Sequence, residues 1–67
     1  MARITPDQLD KCKIYMRVDT DAEDDLVTDL METAVEYLDT AGVTESWNRR
    51  YSLAVQSLTL HWYDHRD

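Results

Sequence analysis

Residues 26–42 read LVTDLMETAVEYLDTAG, and this stretch decides the fold class. Its apolar side chains recur every third or fourth residue, which is the spacing that places them on one side of an α-helix. We expect the centre of the buried side to hold Leu26, Leu30, Ala34 and Leu38, flanked by Val27, Met31 and Val35. The carboxylates along the helix are expected to face solvent, namely Asp29, Glu32, Glu36 and Asp39. The pattern predicts an amphipathic helix that must pack against other elements.

Both ends of this helix are marked in the sequence. Carboxylates at positions 23–25 crowd its predicted first turn, where free backbone N–H groups and the positive end of the helix dipole favour negative charge. The helix is therefore expected to begin near Asp21 or Ala22, after a loop over residues 17–21. Gly42, the one glycine of the chain, is placed to end it in a left-handed conformation.

The residues Thr5-Pro6-Asp7-Gln8 predict a shorter helix before it. Thr5 can cap the first turn, Pro6 fits the first helical position, and Gln8 can complete a capping box. This helix is expected to run from about Pro6 to about Tyr15, and its inward side is expected to hold Leu9, Cys12 and Met16.

A third helix is expected to begin between Thr44 and Asn48 and to run to about Arg66. Its predicted core stripe consists of Tyr51, Ala54, Val55, Leu58 and Trp62. The sequence thus predicts an all-α protein, a small three-helix bundle with one short N-terminal helix and two longer helices. We expect residues 1–67 to form a single domain.

The third helix carries apolar residues on a second side. Leu53 and Leu60 are seven residues apart and project almost opposite the core stripe, and Tyr63 lies between the two sides. Isolated leucines are common on protein surfaces, so one interpretation needs no partner. The other is that Leu53, Leu60 and Tyr63 form a subunit interface.

Length and cysteine content favour the second interpretation. A domain of 67 residues buries only roughly 60% of its unfolded surface, so it gains stability from neighbours, metals or disulfides. Cys12 is the single cysteine, so no disulfide forms within the chain, and we expect it to be a small buried hydrophobe. A lone thiol fits a reducing compartment, and no apolar run predicts a membrane span or a signal peptide.

The charge is strongly acidic, with 14 carboxylates against 7 lysines and arginines and a formal net charge of −7. Dedicated nucleic-acid binding needs clustered cations, so this balance argues against it. An acidic wall can instead let DNA slide past without sticking. Solubility alone is the simpler explanation of the same charge.

No pattern of residues supports an enzyme, a cofactor site or a metal site. His61 and His65 share one helix side, as in helical zinc sites, but the sequence supplies no clear third ligand. The acidic residues 19–25 lack the glycine and glutamate that a calcium loop requires. Arg49 and Arg50 lie beside two aromatic residues, and an ion pair with the acidic second helix is their expected role.

Taken in order, several segments resemble the small head-tail connector (head completion, or adaptor) proteins of long-tailed bacteriophages and prophages. Residues 14–19 (IYMRVD) are similar to a "YLRID" stretch of that family, and the acidic residues 21–25 follow. The helix over 26–41 contains AVEYL and stops at Gly42. Tyr51, Ala54, Val55 and residues 60–66 (LHWYDHR) resemble the closing "hwYenR" segment. Members usually continue further, so we expect either a shortened member or part of a longer one.

The resemblance implies a structural virion protein without catalytic residues. Such proteins form a ring of about twelve copies beneath the portal, extend the DNA channel and contact the next neck or tail protein. It implies synthesis in the bacterial cytoplasm, a position at the capsid–tail junction, and no specific DNA or membrane binding. The family positions Tyr15, Val18, Ala34, Tyr37, Trp62 and Tyr63 are interpreted as core and inter-helix packing.

Two other functions remain compatible with the residues. A small acidic binding module that regulates a host or phage protein would form a salt-sensitive one-to-one complex. Metal-dependent catalysis through His61 and His65 would require bound zinc, which elemental analysis detects.

Overall fold

The computed structural model describes residues 4–65, which fold into three α-helices. They are α1 (Pro6–Met16), α2 (Asp24–Thr40) and α3 (Arg49–Asp64), and the described residues contain no strand. Their lengths of 11, 17 and 16 residues confirm one short helix followed by two longer ones. The part of the third helix that we expected to reach Arg66 lies outside the described residues.

The start of α2 is later than the sequence indicated. We expected it near Asp21 or Ala22, but a turn occupies those positions. The Ala22 N–H donates to the Thr20 hydroxyl at 3.2 Å, and the Asp24 N–H donates to the Asp21 carbonyl at 3.2 Å. These local bonds hold the chain in a turn until the helix begins at Asp24.

Side-chain caps fix the starts of the other two helices. At α1, the Thr5 hydroxyl accepts from the Gln8 backbone N–H at 3.2 Å, and the side-chain Oε1 of Gln8 accepts from the Thr5 backbone N–H at 2.9 Å. The predicted capping box is therefore confirmed. At α3, the Asn48 side chain accepts from the Tyr51 N–H at 2.8 Å, and the helix begins at Arg49.

Left-handed residues end α1 and α2. Gly42 has φ of 88°, its N–H donates to Asp39 at 3.0 Å, and the Val43 N–H reaches back to Leu38 at 2.9 Å. This confirms the role predicted for Gly42. Arg17 takes the same role after α1 with φ of 61°, although a side chain at such a position costs about 1–2 kcal/mol.

The buried side of α2 is rotated from the one we predicted. Its buried residues are Val27, Met31, Ala34, Val35 and Leu38. Leu26 and Leu30, expected at the centre of the stripe, are half-buried. The seven apolar residues of this helix form adjacent rows, and the approach of α1 and α3 selects the row that faces inward.

The buried side of α3 contains a residue that the sequence analysis missed. Tyr51, Val55 and Thr59 are buried, whereas the predicted core residues Ala54, Leu58 and Trp62 are half-buried and pack against the core. Thr59 is fully buried because its hydroxyl donates to the Val55 carbonyl at 2.7 Å. Cys12 is fully buried, as predicted, and its sulfur lies 3.6 Å from that of Met16.

Candidate subunit interface

An ion pair joins α1 to the start of α2 and so fixes the side of the bundle that α1 covers. Lys13 Nζ lies 2.6 Å from Asp24 Oδ1 and 3.2 Å from Asp21 Oδ1, and the lysine side chain is only 11% exposed. Asp24 raises the pKa of Lys13, because its carboxylate favours the charged amine more than burial disfavours it. One lysine therefore balances carboxylates that would otherwise repel one another.

Replacing Lys13 with methionine should lower the urea midpoint for unfolding. The apolar part of the side chain is retained, but Asp21 and Asp24 lose their cation. The matched control is Lys11→Met, because Lys11 pairs with Asp7 at 3.6 Å with both side chains at least 70% exposed, where ion pairs contribute little. Circular dichroism at 222 nm measures both midpoints. Equal midpoints for the two variants would show that the Lys13 ion pair does not stabilise the bundle.

Exposed apolar side chains gather where α1 meets α3. Tyr15 and Leu53 are 41% and 48% exposed. The Tyr15 hydroxyl lies 3.3 Å from the Ser57 hydroxyl, and Leu53 lies one turn before Ser57 on the same side of α3. We call Tyr15, Leu53 and Ser57 the α1–α3 face.

The three residues predicted as a subunit interface have different surroundings. Leu53 belongs to the α1–α3 face, whereas Leu60 and Tyr63 are half-buried and pack against the core. The Tyr63 hydroxyl also donates to the Glu23 carboxylate, which ties the end of α3 to the start of α2. Of the three residues, Leu53 has the largest apolar surface left for a neighbour to cover.

A second exposed aromatic group lies on α2. Tyr37 is 56% exposed and packs edge-on against Trp62, with ring centroids 6.1 Å apart and an interplanar angle of 77°. Thr33, Glu36 and Thr40 line a shallow cleft beside this pair. We call the exposed residues of this side the α2 face: Asp29, Thr33, Glu36, Tyr37 and Thr40.

Two of the residues interpreted as core packing are therefore at the surface. Tyr15 and Tyr37 are exposed, so placing them in the core was wrong. Their inter-helix contacts, with Ser57 and Trp62, are nevertheless present. A tyrosine can pack the edge of its ring between helices and leave the rest of the ring in solvent. The helical spacing of apolar residues in a sequence is the same for such a tyrosine as for a buried one.

Charge is distributed unevenly between the helices. α2 contains six carboxylates and no lysine or arginine. The ion pairs formed among residues 4–65 involve Lys11 and Lys13. The expected ion pair between Arg49 or Arg50 and α2 is not formed within this part of the chain, and both arginines are exposed.

Comparison with known families identifies the group of proteins that the chain resembles. The sequence model of the family described as phage gp6-like head-tail connector protein matches residues 6–67, which is most of the chain. The chain belongs to this head-tail connector family. No curated protein and no solved structure shows a significant match. The connector is thus assigned to structural proteins of the phage particle, which interact with other head or tail proteins.

The two histidines of the connector stack on one another. The rings of His61 and His65 have centroids 4.6 Å apart, and His65 Nδ1 lies 2.8 Å from the His61 carbonyl oxygen. Within residues 4–65, no group of three or more metal-binding side chains is arranged to hold an ion. None of the three described helices is long and apolar enough to cross a membrane.

Proposed function

We propose that this connector is a ring-forming subunit of the phage neck. About twelve copies would form a closed ring beneath the portal, and the ring would extend the DNA channel towards the next neck or tail protein. The protein would be made in the host cytoplasm and act at the capsid–tail junction. The observation that carries the proposal is the family match over residues 6–67.

Leu53 supports assembly independently of the family. It is 48% exposed on α3, one turn before Ser57, whose hydroxyl lies 3.3 Å from that of the exposed Tyr15, so a monomer leaves apolar groups from two helices in water. Covering such a surface with a second subunit gains about 25 cal/mol for each Å² removed from solvent. We propose that Leu53 is central to the subunit contact, with Leu60 and Tyr63 at its edge, where they are half-buried.

The acidic charge supports a channel through which DNA passes without binding. The net charge of −7 disfavours attachment of the ring to DNA phosphates. A ring that held DNA tightly would slow its passage during packaging and release.

Replacing Leu53 with aspartate should abolish assembly and leave the monomer folded. The wild-type protein should form a closed ring, or bind as a ring to the purified cognate portal. An exposed charge at position 53 costs little in the monomer but must be desolvated when a neighbour covers it. Light scattering coupled to size exclusion measures the oligomer, and circular dichroism measures helix content.

Two further variants make this test specific. Val43→Asp introduces the same charge at a 43% exposed position outside the α1–α3 face and should still assemble. Leu60→Asp places a charge at a half-buried position against the core and should destabilise the fold itself. The proposed function is lost if wild-type protein stays monomeric at all concentrations and also does not bind the portal.

A further inference from the structure

We infer that neighbouring copies meet head to tail, with the α2 face of one copy seated on the α1–α3 face of the next. This inference rests on the proposed ring and identifies which of its surfaces are in contact. The occupant of each face is therefore a second copy of this chain. Two kinds of observation lead to it, the distribution of charge and the position of the exposed apolar groups.

The α2 face is unsuited to contact with itself. Asp29 and Glu36 are exposed on this face, and α2 has no lysine or arginine that could neutralise an opposing copy. Two such helices brought together would bury carboxylates against carboxylates, which costs several kcal/mol in an interface. A two-fold symmetric contact through α2 is thereby disfavoured, so its partner must be a different surface.

The α1–α3 face carries the opposite charge around its rim. Lys11 precedes Tyr15 by one helical turn, Arg17 follows α1, and Arg49 and Arg50 precede Leu53 by one turn. These are four of the seven lysines and arginines of the chain. Lys11 pairs with Asp7, but the three arginines are exposed and take no part in the ion pairs within residues 4–65.

Each face also has an apolar centre. Tyr37 stands 56% exposed on the α2 face, while Tyr15 and Leu53 are 41% and 48% exposed on the α1–α3 face. Stable subunit contacts commonly combine aromatic or aliphatic groups at the centre with charged and polar groups at the rim. The two faces are therefore complementary in charge and similar in apolar content.

A contact between two different faces leads to a ring. When a subunit offers one surface and accepts another, each added copy leaves one free face at either end until the chain of copies closes. A self-complementary patch would instead stop at a dimer. The arginines that were expected to pair with α2 within one chain are thus assigned to the α2 of the next copy.

Chemical cross-linking between introduced cysteines tests the assignment. One variant carries Tyr37→Cys and another Leu53→Cys, and each is treated with a short bismaleimide at millimolar protein, alone and mixed in equal amounts. Cys12 should not react, because it is fully buried and burial raises the pKa of its thiol to about 11. Ser46→Cys, an exposed position outside both faces, measures random collision.

Head-to-tail contact predicts about tenfold more cross-linked dimer in the mixture than with either variant alone. A chain carrying both substitutions should produce a ladder of larger oligomers, since each copy can link at both faces. Mass spectrometry identifies the linked cysteines. Efficient Leu53→Cys homodimers, or a mixture no better than the Ser46→Cys background, would overturn the assignment of faces.

The same samples separate this inference from the proposed function. If wild-type protein assembles or binds the portal but the mixture shows no preference, the ring stands and the assigned faces are wrong. If wild-type protein neither assembles nor binds the portal, and cross-linking is random, both proposals fail together.

Discussion

Replacing Met31 with alanine should remove most of the free energy of unfolding of the monomer at 25 °C. Met31 is only 1% exposed and is among the largest fully buried side chains of the core. Truncating a buried methionine costs about 2–5 kcal/mol, because transfer free energy is lost and a cavity remains. A core of this size supplies roughly 3–5 kcal/mol in total. Urea titration followed at 222 nm measures the loss.

An exposed position gives the matched control for Met31. Ile14→Ala removes an apolar side chain of similar volume that is 76% exposed, so stability should change by no more than about 0.5 kcal/mol. Raising the protein concentration should partly restore the helix content of Met31→Ala, because assembly favours the folded state by mass action. Similar urea midpoints for the two variants would contradict the core described here.

Stability should also fall steeply as the pH rises from about 9 to 11. Burial raises the pKa of the Cys12 thiol from 9.0 to about 11, an effect that a hydrogen bond with Thr59 partly offsets. Well below pH 9 the thiol is protonated in both the folded and the unfolded state, so its ionisation does not reduce the free energy of unfolding there. Between these values the unfolded chain loses the proton more readily than the folded protein, and about 2 kcal/mol of stability is lost by pH 11.

Lys13 also makes the fold less stable as the pH rises, but only at the upper end of the range from pH 9 to 11. Its pKa is raised above 10.5, chiefly by Asp24, so its contribution is lost as the pH rises through the folded-state value. Cys12→Ala separates the two groups, because it removes the thiol and leaves the lysine. In that variant the decline should begin about one and a half pH units later, near the ordinary pKa of the lysine. Thermal melts at half-unit pH steps detect the shift, and an unchanged onset would exclude Cys12 as the cause.

The proposed assembly surface was only partly predictable from the sequence. Leu53 is exposed, and its position opposite the core stripe was evident from helical spacing. Leu60 has the same spacing, but it is half-buried against the core. The exposure of Tyr15 and Tyr37 was not predicted. An aromatic residue in an apolar pattern has the same spacing whether it is buried or lies at the edge of a helix pair.

The sequence by itself determined the three helices, the capping box of α1, the glycine that ends α2 and the family of the chain. The capping box at Thr5 and the left-handed Gly42 depend on hydrogen bonds that reach no further than five residues, so local sequence is sufficient. Only the tertiary structure decided which row of α2 faces inward, that Thr59 is buried, and that Lys13 joins α1 to α2. These outcomes depend on the direction from which helices distant in sequence approach one another. Contacts between such helices leave no periodic pattern in the sequence of either helix.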